Sequence, residues 1–122
     1  MDVTATLTEV RATLRGHGAR FAYLFGSRAR GDARPGSDLD VAAWFGDHVP
    51  ESFDVLLPPG VDLLVLDGAP LELRGRVALE GRLIFDDEPT IRVRWEATTR
   101  KIYADEAPRL ARAHREFLAG VR

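Results

Sequence analysis

The stretch LFGSRARGDARPGSDLDVAAWF, residues 24–45, places a Gly-Ser pair, three arginines (Arg28, Arg30 and Arg34) and an Asp-Leu-Asp between two apolar runs. An apolar run built only to fill a core would not carry Asp38 and Asp40 two residues apart, because unpaired carboxylates are costly to bury. Side chains alternate across a strand, so both carboxylates face one way, with Leu39 and Val41 on the opposite face. Two negative groups this close repel and raise each other's pKa unless a cation lies between them. Oxygen-only ligation suits Mg²⁺ or Mn²⁺, and a pair of such ions can clamp the attacking and leaving oxygens of a phosphoryl displacement.

A third carboxylate on a neighbouring strand would complete the cage. Asp62, in the run GVDLLVLD, is the acidic residue early in an apolar strand; Asp67 is the alternative, at the strand's exit, where a turn or helix-cap role is commonplace. Gly26 and Ser27 follow one strand and precede a helical turn, a place where free backbone N–H groups meet an anion and glycine lets a phosphate come close. The Ser27 hydroxyl can add a hydrogen bond to that phosphate, and Arg28, Arg30 or Arg34 can supply bidentate guanidinium contacts. Taken singly, Gly-Ser is a common turn, Asp-x-Asp a common strand edge, and arginines a solvated loop. The specific signal is their order: strand, Gly-Ser, ten residues, Asp-x-Asp, apolar strand.

The rest of the chain sets the frame. Its 122 residues suit a single domain, 1–122, and leave no room for a second. With 45% hydrophobic and 30% charged residues the mix is that of a soluble globular protein, and no run reaches the roughly 18–20 apolar residues of a membrane span. MDVTATLTEVRATLRG lacks a basic segment followed by a long apolar stretch, so no signal peptide is read and a cytoplasmic location is expected. The absence of cysteine excludes disulfides, a thiol nucleophile and a thiolate metal site. A net charge of −2 argues against a general nucleic-acid coat, and no direct nucleic-acid partner is expected.

Leu7, Val10 and Leu14 fall at helical spacing behind Thr4 and Thr6, either of which can cap, and Gly16 and Gly18 end the helix. Strands are predicted over 19–25, 39–45, 61–66 and 83–85, with a loop from Gly26 to Gly36 and a long connection from Gly46 to Gly60. Pro70 suits the first turn of a helix whose apolar positions are Leu73, Val77 and Ala78 and which stops at Gly81. From Pro89 onward Ile91, Trp95 and Ile102 share a helical face, and Leu110, His114, Phe117 and Val121 continue it beyond Pro108, which should kink or split the segment. Trp44, Phe45, Trp95, Tyr103 and Phe117 read first as core, and Arg74, Arg76 and Arg82 as a solvated face. His17, His48 and His114 are scattered and lack ligand spacing. The C-terminal helices, about 89–119, carry more apolar and aromatic surface than so small a sheet needs, which marks them as a partner-binding element. The pattern as a whole is α/β (α+β): one sheet with helices mainly on one face.

GSRARGDARPGSDLD resembles the GSx₁₀DxD signature of the DNA polymerase β-type nucleotidyltransferases. GSRARG followed by SDLDV is similar to the minimal nucleotidyltransferases (MNT) that act as antitoxins beside HEPN-domain toxins. The likeness extends from the first strand through DLLVLD and LRGRVALEGRLIF into the C-terminal helices, and no departure touches the signature. The resemblance implies the minimal fold of that superfamily, with one mixed sheet. It implies that Asp38, Asp40 and Asp62 bind Mg²⁺ or Mn²⁺, and that Gly26, Ser27 and Arg28 hold a nucleoside triphosphate, ATP. Asp62 would also be the general base, being nearest the incoming hydroxyl. The implied activity is that of a protein adenylyltransferase, passing AMP to a tyrosine hydroxyl of a HEPN-domain toxin and so neutralising it. Two other readings stand beside it: an antitoxin that blocks its toxin by binding alone, and a nucleotidyltransferase acting on a small molecule.

Overall fold

The computed structural model describes residues 2–31, 36 and 38–120; Arg34 and Val121 lie outside the described residues. Helix α1 (Val3–Gly16) is capped by Asp2, whose Oδ1 accepts from the Ala5 amide at 3.3 Å. The cap is thus not Thr4 or Thr6. The turn containing them has closed already, and the Thr8 hydroxyl donates to the Thr4 carbonyl at 3.1 Å instead.

Four strands follow: β1 (Phe21–Phe25), β2 (Leu39–Trp44), β3 (Val61–Val65) and β4 (Arg82–Asp86). They form one mixed sheet in the order β3-β2-β1-β4. β1 is antiparallel to both β2 and β4, whereas β2 and β3 run parallel. One-turn helix α2 (Ser27–Arg30) leaves the end of β1, and a 3₁₀ turn (Ser52–Asp54) sits in the connection to β3. Helix α3 (Leu71–Glu80) links β3 to β4, and α4 (Pro89–Gly120) closes the described chain.

Two cores explain the strand pattern. Leu39, Val41 and Ala43 of β2 pack with Val10 and Leu14 of α1, while Ala42 faces the other way, among Phe21, Tyr23 and Val77 of α3. Ile91 and Trp95 of α4 pack on this second cluster. α3 and α4 therefore share one face and α1 crosses the other, as expected of helices mainly on one face. The second core is aromatic: Phe21 stacks on Trp44 with ring centroids 5.3 Å apart, and Trp95 lies 5.8 Å from Phe21 and from Tyr23.

A charged network pins the start of α4 to the sheet. Arg92 bonds Asp86 at 2.8 Å and Glu96 at 2.7 Å, and Glu96 also takes Arg100 at 3.1 Å. Arg100 donates in turn to the Ala78 carbonyl of α3 at 2.7 Å. Burial, reinforced by the nearby Glu96 carboxylate, holds the Tyr23 hydroxyl well above its ordinary pKa, so it stays neutral. Gly75 lets α3 and α4 approach, since a Cβ there would strike the Tyr103 ring.

The expected break at Pro108 does not occur, and α4 runs through it as one helix. A proline removes one amide donor, but the carbonyl one turn back belongs to Ala104, an exposed residue, so that carbonyl is open to solvent. Of the aromatic residues read as core, Phe117 is the exception at 67% exposed.

Candidate active site

Asp40 is the second residue of β2, and the pairing places it opposite Phe25 on β1 and Asp62 on β3. Neighbouring strands lie about 4.8 Å apart, so residues in register on one face stand side by side. Asp40 shares its face with Ala42 and Trp44, so the acids occupy the end of the same surface whose middle is the aromatic core. Asp38 lies just ahead of β2 and is exposed, as is Asp62; Asp40 is half-buried.

Burial raises the Asp40 pKa from its ordinary value, and the Asp62 and Asp38 charges raise it further, while Arg30 opposes them. The three acids thus share one electrostatic site. Among the described residues, however, no three His, Cys, Asp or Glu side chains stand close enough to hold a metal ion unaided. The donor set still fits a hard divalent cation. Mg²⁺ keeps several waters and commonly takes one or two carboxylates plus substrate phosphates rather than an all-protein cage.

Gly26 is held at φ 73°, between β1 and α2. A Cβ at Gly26 would lie 2.5 Å from Asp40 Oδ2, so any side chain there must displace the carboxylate. Ser27 opens α2, Arg28 and Arg30 follow on it, and Gly31 ends it at φ 80°. This puts the Gly-Ser pair of the sequence directly beside the Asp-x-Asp.

Asp67, the alternative third acid, has another task. Its two carboxylate oxygens accept from the amides of Phe45 and Gly46 at 3.0 Å and 2.8 Å, fastening the far end of β2. The other polar residues singled out in the sequence are dispersed. His17 caps α1, His48 occupies a left-handed turn, and His114 is exposed on α4. Arg74 donates to the Ala69 carbonyl at 2.8 Å, Arg76 pairs with Glu72 at 3.1 Å, and Arg82 is exposed on β4.

One feature near the acids went unread in the sequence. The connection 46–60 presents Phe53 and Leu56 at 77% and 84% exposed, beside a cleft of about 350 Å³ whose lining includes Asp62. The signal was the large apolar Phe53 and Leu56 inside a proline-bearing segment of mixed polarity.

A family model described as polymerase beta, nucleotidyltransferase matches residues 9–90, which hold Gly26, Ser27, Asp38, Asp40 and Asp62. No curated protein matches the sequence. Among solved structures, a chain of a toxin-antitoxin complex with AMP-PNP shares the fold at TM-score 0.74 and 22% identity, covering 91% of this chain and 98% of that one. A chain of the complex between a tri-AMPylated Shewanella oneidensis HEPN toxin and an MNT antitoxin does so at TM-score 0.72 and 20% identity, covering 93% and 98%. The MntA-HepT toxin-antitoxin structure gives the same values. With the family's own domain spanning both the signature and β3, the chain belongs to the polymerase β-type nucleotidyltransferases.

Proposed function

We propose that this nucleotidyltransferase is an antitoxin that moves AMP from ATP to a hydroxyl, a tyrosine hydroxyl by resemblance, of a HEPN-domain partner protein. The observation that carries the reading is the in-register pair Asp40–Asp62, set directly against Gly26. The solved relatives support the choice of nucleotide and acceptor, since one complex contains AMP-PNP and another a tri-AMPylated HEPN toxin.

In this reading Gly26, Ser27 and Arg28 hold the triphosphate, and Asp38, Asp40 and Asp62 are the metal ligands. Mg²⁺ or Mn²⁺, when bound, supplies the positive charge that neutralises the triphosphate and draws the acceptor oxygen toward it. The acceptor oxygen attacks the α-phosphorus and its proton passes to the Asp62 carboxylate. The bond from the α-phosphorus to the bridging oxygen breaks, and pyrophosphate leaves with that oxygen. Asp62 is exposed, so an incoming protein hydroxyl can reach it.

The C-terminal part of α4 is the partner-binding element of the proposal. A helix of this length standing free of the sheet is marginal in water, and a partner covering Leu110, Phe117 and Leu118 would stabilise it. The test is intact-mass spectrometry of a co-expressed HEPN-domain partner. Wild type should add one or more AMP units and Asp40→Asn none, although both still bind the partner. An unmodified partner beside wild type, with toxicity still suppressed, would overturn transfer in favour of blocking by binding.

A further inference from the structure

β3 is an edge strand: it pairs with β2 on one side, and the backbone groups of its other edge face away from the sheet. Beside that edge runs the cleft of about 350 Å³, lined by Phe53, Val55, Leu56, Val61 and Asp62 among others. Phe53 lies within the 3₁₀ turn and Leu56 two residues beyond it, yet their side chains are 77% and 84% exposed. They are the two most exposed large hydrophobic side chains among the described residues, and they stand next to a carboxylate of the candidate site.

Charge narrows the occupant. Residues 46–66 contain Asp47, Glu51, Asp54 and Asp62 but no lysine or arginine. Asp47 is neutralised by Arg20 at 2.6 Å. Glu51, Asp54 and Asp62 are exposed and enter none of the ion pairs among the described residues. Polar and apolar side chains both line the cleft, Asp62 among them, and the exposed acids Glu51 and Asp54 neighbour its lining residues in the chain, so its surroundings are negative.

We infer that this cleft docks the acceptor segment of the partner protein: an extended stretch of chain with apolar side chains and at least one basic residue flanking the hydroxyl that receives AMP. The inference rests on the transferase reading and adds the surface and the specificity-determining residues Phe53 and Leu56. Apolar contacts with these two anchor the segment, Glu51 and Asp54 meet its basic residue, and the free edge of β3 accepts its backbone. The hydroxyl then lies at the mouth where Asp62 takes its proton. Because the contacts are made to the acceptor and not to the nucleotide, they set KM for the partner rather than kcat.

The experiment compares wild type with Phe53→Ser/Leu56→Ser and with Glu51→Lys/Asp54→Lys, using the unmodified HEPN-domain partner, ATP and Mg²⁺. Both variants should raise KM for the partner by about tenfold or more, the size expected for loss of an interface anchor. KM for ATP, kcat at saturating partner and the melting temperature should stay near wild type, since all four side chains are exposed. Unchanged KM for the partner in both variants would overturn the cleft while leaving transfer intact. A change in the chain's own oligomeric state, with KM for the partner unaltered, would make this face a self-interface and also overturn the inference. If wild type transfers no AMP, the transferase reading falls, and the docking inference with it.

Discussion

Gly26 meets two demands that no other residue meets together: a positive φ and an empty Cβ position against Asp40. Gly26→Val should therefore lower transfer by about a hundredfold or more, the scale on which small misplacements at a reacting centre are felt, and Ser27→Ala only modestly. Steady-state rates of AMP incorporation check this. Asp40 offers a test of the opposite sign. Its folded-state pKa is raised, so ionising it costs stability; the cost is absent below the unfolded carboxylate value of about 3.9 and complete above the raised folded one. Asp40→Asn should thus abolish transfer yet raise the melting temperature slightly at neutral pH, and the gain should vanish as the pH falls below about 4. Thermal melts across pH read it directly. The closeness of Asp38 and Asp40 was legible because they are two residues apart, although Asp38 lies just ahead of β2, where strand alternation no longer fixes its face. The choice between Asp62 and Asp67 was open because it depends on the parallel pairing of β2 with β3, and on two amides far from Asp67 in the chain.

Helix α4 shows what periodicity conveys and what it omits. The repeat of Ile91, Trp95 and Ile102 located the helix, and Ile91 and Trp95 do pack on the aromatic core, whereas Ile102 is already exposed. The same apolar spacing continues through Leu110 and Phe117, where the sheet has already ended and both side chains are exposed. Sequence pattern reports that a face is apolar, not what covers it. Hydrogen exchange should separate the two halves: amides of 108–120 should exchange far faster than those of 91–103 in the free protein, and slow markedly once the HEPN-domain partner is added. Equal protection of both halves in the free chain would contradict this. The junction of α3 with α4 was not legible at all, because a glycine inside a helix gives no hint of which ring it accommodates. Gly75→Ala should push Tyr103 aside and cost about 1–3 kcal/mol in denaturant unfolding.

At the scale of the whole molecule, the fold class and the succession of strands along the chain followed from the alternation of apolar runs with turns, whereas the order of those strands in the sheet and the network that ties α4 to it did not. Asp86, Arg92 and Glu96 looked like ordinary surface charges, and only the docking of α4 over β1 and β4 draws them together. Since these side chains are mostly buried, Arg92→Ala should destabilise the fold by about 1–3 kcal/mol, because Asp86 loses its cation while Glu96 keeps only Arg100. Chemical denaturation measures it. The parallel pairing of β2 with β3 carries a different kind of consequence. Side chains alternate faces along a strand, so a slip of β3 by one residue would send Asp62 to the α1 side, away from Asp40. No halfway alignment exists. A chain slipped in this way would be wholly inert rather than partly active, so the fraction of protein that turns over in a single-turnover burst would count the chains whose edge strand is in register.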